Sequence, residues 1–181
     1  MLTYITLLRG INVSGQKMIK MEELKSIYRA LNFKNVRTYL QSGNVIFDDD
    51  RENYEGFGKI IEAKILQNLG FTVSVIIRSQ NEFEIIVNNN PFLKIKHEDS
   101  KKLYVTFLSE EPNSIMLDKI KEIKFPPDEF IIIGKEIYGV CYNGYGTTKF
   151  TNNFFESKLK VAATTRNWRT VNELNALAKA N

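Results

Sequence analysis

Val36-Arg37-Thr38-Tyr39-Leu40-Gln41-Ser42-Gly43-Asn44-Val45-Ile46-Phe47 alternates, turns, and then runs apolar. Val36, Thr38 and Leu40 alternate with Arg37, Tyr39 and Gln41, the period of a half-buried strand. Ser42-Gly43-Asn44 is turn chemistry and Val45-Ile46-Phe47 opens a second strand, so residues 36–48 predict a hairpin. Upstream, Thr3 to Arg9 is nearly all apolar or Thr and reads as a central strand. Between the two, Met21, Leu24, Ile27, Tyr28 and Leu31 recur at helical spacing. Downstream, Phe57, Ile60, Ile61, Ile65, Leu66 and Leu69 define a second helix that Gly70 stops. Thr72 to Arg78 is then a β-rich run. The order strand, helix, strand, strand, helix, strand is the split βαβ plan of ferredoxin-like folds.

The remainder echoes that plan. Ser79-Gln80-Asn81-Glu82 has the spacing of a capping box and opens a short helix that Asn88-Asn89-Asn90-Pro91 ends. Leu103 to Leu108 reads as a strand, and Pro112 suits the first position of a helix carrying Ile115, Leu117, Ile120 and Ile123. Glu129–Ile133 and Glu136–Tyr142 form a hairpin around Gly134-Lys135. Phe154, Phe155 and Leu159 mark a helix, and Thr170-Val171-Asn172-Glu173 reads as a capping box for the last one. The expected class is α+β, with two ferredoxin-like-related subdomains whose antiparallel sheets pack against helices. They span residues 1–79 (βαββαβ) and 80–181 (α-βαββ-αα, without the final strand). No residue-level repeat accompanies the echo.

Composition bounds the function. Of 181 residues, 43% are hydrophobic and 25% charged, which excludes disorder and low complexity. Apolar runs are as short as Phe130-Ile131-Ile132-Ile133, so no membrane span is expected, and no basic segment precedes a long apolar stretch, so no secretion signal is expected either. One cysteine, Cys141, forbids an internal disulfide and fits a reducing cytoplasm. With His97 as the lone histidine, a His/Cys zinc site is not expected, and a Ser-His-Asp triad would have to use that one residue. No cofactor is implied. Charge is uneven: residues 1–47 hold seven basic and two acidic side chains, 48–140 twelve and seventeen, 141–181 six and two. Basic flanks around an acidic middle suggest an anion-facing surface, or a solvated one with no ligand.

Three segments could carry chemistry. Arg9-Gly10-Ile11-Asn12-Val13-Ser14-Gly15-Gln16-Lys17 joins the first strand to the first helix. It spaces two glycines like a P-loop, but Gln16 follows Gly15 and Met18 takes the hydroxyl position, so that motif fails, as does the dinucleotide fingerprint. A glycine-containing loop with basic residues before a helix is left, a general place to hold an anion, or an ordinary tight loop. The split βαβ plan puts Arg9 near Asn44, so Arg9, Asn12, Lys17, Gln41, Ser42 and Asn44 are expected to line one polar cleft; the alternative is that the turn is hairpin punctuation. The third segment, Thr164-Thr165-Arg166-Asn167-Trp168-Arg169-Thr170, pairs arginine with the single tryptophan. Arg166 suits phosphate, and Trp168 suits a stacked ring or a core plug. Lys149 lies in the preceding loop, a lid or a long turn. Glu22-Glu23 and Glu110-Glu111 read as helix-start or surface charges.

At these segments the chain resembles an uncharacterised, mostly bacterial family, number 1697 among domains of unknown function. The resemblance rests on Leu7-Leu8-Arg9-Gly10-Ile11-Asn12-Val13, Gln41 through Phe47, Asn90-Pro91-Phe92, Lys149-Phe150-Thr151-Asn152 and Thr164 through Val171. Ser14-Gly15 departs from the family's Gly-Gly, and Phe150 from its Leu. The resemblance implies an α+β fold of two ferredoxin-like-related subdomains and supplies no activity.

The leading expectation is therefore a binding protein for a phosphorylated small molecule or nucleic acid, held by Arg9, Asn12, Lys17, Gln41, Ser42, Asn44, Lys149, Thr165, Arg166, Asn167 and Trp168. The aromatic signature of sequence-specific RNA-binding sheets is absent from the sequence. The alternatives are an enzyme acting on a small anionic substrate, with Arg9, Lys17 and Arg166 stabilising charge, and a structural protein whose polar loops form a homo-oligomer interface.

Overall fold

The structure, a computed structural model, describes residues 1–94 and 98–180. His97 lies outside the described residues. The chain divides into two compact units: Met1–Glu84 together with the residues from Leu174 on, and Ile85–Glu173.

The first unit is built on β1 (Leu2–Leu8), α1 (Met21–Ala30), β2 (Lys34–Tyr39), β3 (Asn44–Asp49), α2 (Phe57–Leu69) and β4 (Val75–Ser79). The sheet order is β2-β3-β1-β4, with every pairing antiparallel. The apolar stripes of α1 and α2 cover one face. Leu24, Ile27 and Tyr28 of α1, and Phe57, Ile61 and Ile65 of α2, close over Tyr4, Leu8, Val45 and Phe47. The stop read at Gly70 is a left-handed C-cap (φ 75°) whose N–H donates to the Leu66 carbonyl. Ser79 and Glu82 form the expected reciprocal cap: the Ser79 N–H donates to Glu82 Oε2 (2.7 Å) and the Glu82 N–H to Ser79 Oγ (3.3 Å), opening α3 (Gln80–Asn88).

The second unit continues through the short α4 (Pro91–Lys94), β5 (Leu103–Leu108), α5 (Ser114–Lys121), β6 (Glu129–Ile133), β7 (Glu136–Val140), α6 (Asn152–Leu159), β8 (Ala163–Asn167) and the first turns of α7 (Trp168–Lys179), whose residues from Leu174 on belong with the first unit. Its sheet order is β6-β7-β5-β8, again wholly antiparallel. Ile120 of α5 and Phe155 and Leu159 of α6 pack over Leu108 and Ile137.

Three expectations for this half need correction. The final strand is present: the segment at 164–170, read as a loop, is β8 running directly into α7. A strand of Ala, Thr and Arg escapes notice because it has no large apolar residue to mark a buried face, although Ala163, Thr164 and Arg166 are all buried. The last helix also starts earlier than Thr170. Asn167 caps it, its Oδ1 accepting from the Thr170 N–H (2.8 Å), and Thr170 is buried inside the first turn. Finally, α5 is capped by Asn113, which accepts from the Ile115 N–H, rather than opened by Pro112.

With β8 in place the two units share one strand order, and the register of β1 on β4 matches that of β5 on β8 residue for residue. In the first, Tyr4, Thr6 and Leu8 of β1 lie opposite Ser79, Ile77 and Val75 of β4. In the second, Tyr104, Thr106 and Leu108 of β5 lie opposite Asn167, Thr165 and Ala163 of β8. Arg78 pairs with Ile5 and Arg166 with Val105, and both arginines are buried in their strands. In each unit a capping Ser79 or Asn167 follows and a helix begins at once.

Candidate functional site

The expected polar cleft is divided by β1, which sits between β3 and β4. On the β3 side, the 9–20 connection is stitched to the hairpin turn. The Leu8 N–H donates to the Gly43 carbonyl (2.8 Å). Asn12, left-handed at φ 54°, donates from Nδ2 to the carbonyls of Gln41 (2.7 Å) and Ile19 (3.0 Å), and its Oδ1 accepts from the Ile19 N–H (2.7 Å). Asn44 is fully buried and donates to the Tyr39 carbonyl and to Ser42 Oγ, both at 2.9 Å. Asn12, Ser42 and Asn44 therefore hold the loop in shape with their side chains, while Gln41 contributes its backbone carbonyl and is itself exposed.

On the β4 side, Arg9 and Lys17 open onto a cleft of about 420 Å³. Arg9 follows β1 directly, and its N–H donates to the Ser74 carbonyl (2.9 Å). Lys17 reaches across from the loop, Nζ donating to the Thr72 carbonyl (2.7 Å). The third cation is Lys59 on the exposed face of α2, one turn before Glu62. Glu62 is the single carboxylate in the lining, and its Oε1 accepts from the Val75 N–H (2.8 Å). Three cations thus face a cleft whose one carboxylate is tied to the end of the sheet. Arg can grip phosphate or carboxylate with two parallel bonds, while Lys supplies a point charge. The volume falls in the range of small-molecule sites.

Lys59, Glu62, Thr72 and Ser74 were not singled out from the sequence. The signal that could have found them is the strand order. Once β4 is placed beside β1, residues 72–74 must adjoin Arg9, and the α2 face three residues apart at 59 and 62 must look onto them.

The other candidates lie in the second unit. Thr165 is the centre of a hydroxyl network. It donates to Asn152 Oδ1 (2.7 Å) and accepts from Tyr145 Oη (3.0 Å), which leaves Thr106 Oγ1, at 2.6 Å, as a donor to it. The Tyr145 ring rests on Tyr104, centroids 5.1 Å apart, so the 142–149 connection is anchored here. Arg166 lies in β8, 8% exposed, with Nη1 donating to Thr164 Oγ1 (2.8 Å) and the Thr165 carbonyl (2.9 Å). Asn167 is the α7 cap and Trp168 is buried at 6% exposure, so the tryptophan is a core plug rather than an open stacking surface. Lys149 is exposed and lines a hollow of about 470 Å³ with Lys124, Asp128, Asn143 and Thr147.

Cys141 stands just beyond β7, buried. Burial and the nearby Asp128 push its thiol up to about 12, which removes it as a nucleophile near neutral pH. No group of three or more metal-ligating side chains occurs among the described residues, and no helix among them is long and apolar enough to cross a membrane.

The asparagines of the resembling segments share one task. Asn12, Asn44, Asn90, Asn152 and Asn167 each accept from, or donate to, a neighbouring backbone or side-chain group; Asn90 Oδ1, for instance, takes the Phe92 N–H (3.0 Å). The motifs are thus largely the fold's own fastenings. A solved structure described as that of "conserved bacterial protein SP0830 from Streptococcus pneumoniae" superposes with a TM-score of 0.76, covering 98% of this chain and 99% of that one at 20% identity. That likeness concerns the fold. No curated protein matches the sequence. A family model described as "Protein of unknown function (DUF1697)" matches residues 1–138, and the chain belongs to that family.

Proposed function

We propose that the protein binds a small phosphorylated ligand in the cleft of its first unit, with Arg9, Lys17 and Lys59 taking the phosphate. The observation that carries this reading is the convergence of those three cations on a concave lining that holds one engaged carboxylate. The neighbouring turn supports it: Asn12 and Gly43 fix the loop that delivers Lys17, so the cation is delivered by a braced loop. A concave site favours a small molecule over a nucleic-acid backbone, which ferredoxin-like sheets more often meet on an open face. A reducing, cytoplasmic setting fits the single buried thiol. Arg166 and its neighbours in the second unit are not needed for this reading.

The test is a thermal-shift panel of inorganic phosphate, pyrophosphate, sugar phosphates, nucleotides, and short RNA and DNA, at about 50 mM and about 200 mM salt. A ligand at about a hundred times its Kd adds about 2.7 kcal/mol, a rise of about 5–10 °C for a chain of this length. The rise should vanish in Lys17→Ala and Lys59→Ala, both exposed positions. A flat panel, or a rise that survives both substitutions, refutes the assignment. A response confined to RNA or DNA and steeply lost with salt would replace the small molecule with a nucleic-acid backbone.

A further inference from the structure

An apolar hollow lies in the second unit, lined by the connection from α5 to β6 and by β6 itself. Its volume is about 620 Å³, and Ile123, Phe125, Phe130 and Ile132 supply its apolar wall. These side chains are only half-buried, so water meets the wall. The wall does not close on itself because its rings are braced from behind. Phe125 meets Phe154 edge-on at 5.1 Å, and Phe130 meets Phe150 at 5.5 Å and Phe155 at 5.3 Å. Phe150 can lie that close to the sheet because Gly139 faces it; a Cβ there would come within 3.0 Å of the ring. The hollow is thus preformed, the usual state of a small-molecule site.

Its mouth is charged. Around the Pro126-Pro127 turn it adjoins the 470 Å³ hollow that holds Lys149, and Lys124 and Asp128 line both. Asp128 is occupied inwardly, Oδ1 accepting from the Tyr142 N–H (2.9 Å). Lys124 closes the end of α5, Nζ donating to the Lys121 carbonyl (3.1 Å), and Lys149 is exposed. Lys121 and Glu129 line the hollow as well, so with Lys149 of the adjoining one three ammonium groups face two carboxylates, one of them, Asp128, bonded inward; an apolar wall with this cationic excess suits an amphiphile with an anionic head.

We infer that the second unit binds an amphiphilic anion, a chain or ring system ending in a carboxylate or phosphate, with the apolar part against Phe125 and Phe130 and the head on Lys124 and Lys149. The apolar part supplies affinity in proportion to the area it removes from water, and the ammonium groups fix its orientation. This site shares no residue with the cleft of the first unit, so the two assignments stand or fall separately.

The experiment is a fluorescence titration of the full chain with dansyl-undecanoate, below its micellar concentration, followed by displacement. Saturable enhancement is expected. Decanoate should displace the probe, and each methylene removed from the competitor should weaken it about fourfold. Lys124→Ala with Lys149→Ala should weaken decanoate about tenfold while leaving decanol unchanged. Ile123→Ala should weaken both, and Lys17→Ala neither. No saturable enhancement overturns the inference. So does displacement by acetate or inorganic phosphate as strong as by decanoate, which would mean a bare anion site. Equal displacement by decanoate and decyltrimethylammonium, or indifference to the two lysines, overturns it as well.

Discussion

Gly43→Ala isolates the turn that braces the candidate loop. Gly43 is left-handed at φ 75°, and a Cβ built on it would lie 2.7 Å from Leu8 Cβ, 2.7 Å from Ile11 Cδ1 and 2.9 Å from Ile11 Cγ1. Leu8 and Ile11 are both buried, so neither can swing aside into solvent. Two costs add. Left-handed backbone costs an L residue about 1–2 kcal/mol, and forcing a methyl into a packed site costs about 1–3 kcal/mol. Gly15 supplies the control: it too is left-handed, at φ 74°, with nothing within 4 Å of its built Cβ. Gly15→Ala should therefore show the backbone cost alone. At about 2–4 °C per kcal/mol for a chain of this length, the summed cost of about 2–5 kcal/mol should lower the Tm of Gly43→Ala by about 4–20 °C, and that of Gly15→Ala by less, the gap reporting the clash. Melting followed by far-ultraviolet circular dichroism reads both. Two variants that melt together would show that the clash is relieved at no cost and would refute the rigid-turn argument.

Three further outcomes follow from other contacts. Asn12→Ala removes three hydrogen bonds and should cost about 1–3 kcal/mol, with faster amide exchange at Ile19; unchanged exchange there would mean the loop is held by something else. Arg51 grips Asp49 through two bonds of 2.7 Å, which holds the Asp49 carboxyl below its usual range; burial opposes this more weakly. Because the folded pKa is depressed, that contribution is complete above about pH 4 and fades as pH falls through the folded value. Arg51 is half-exposed, so the ion pair contributes less than about 1 kcal/mol. The stability gap between wild type and Arg51→Ala in urea should narrow in acid to what its stacking over Phe57, at 4.4 Å, supplies; a gap constant with pH would deny the pair any role. Cys141 should resist iodoacetamide at about pH 8 in the native protein and react once unfolded in urea, whereas rapid native alkylation would contradict its burial.

The first unit was legible because its sequence is locally consistent. The hairpin pattern at residues 36–48, the helical spacing of Leu24, Ile27 and Tyr28, and Gly70 at a helix end all signal the structure that forms, although Leu40, read as continuing the strand's alternation, is an exposed, left-handed turn residue. In the second unit β8 was hidden because burial there falls on Thr164 and Arg166, residue types that ordinarily signal surface. The kinship of the halves was hidden for a different reason. Tyr4-Thr6-Leu8 and Tyr104-Thr106-Leu108 recur at one spacing, Arg78 and Arg166 at another, because the connections between them differ in length, so no fixed period appears. At the candidate cleft Arg9 and Lys17 were readable from a loop between strand and helix. Lys59 and Glu62 were not, because the face of α2 that carries them becomes part of a cleft only once the neighbouring strand is placed. Asn12 and Asn44, expected among the ligand-binding residues, donate to backbone carbonyls of their own loop and turn.

The residues from Leu174 on belong with Met1–Glu84, although residues 85–173 intervene. The Leu177 carbonyl receives Arg37 Nη1 at 2.8 Å, and Lys179 pairs with Glu84 at 2.6 Å. On the ribosome, then, the first-made half emerges before the segment that finishes it. Arg37 waits for its carbonyl partner until the whole of the second half has been translated, so the order of synthesis and the order of completion differ. A stalled or clipped chain lacking that segment would leave a guanidinium stranded in the half that was made first, and cellular proteolysis would be expected to find the defect there.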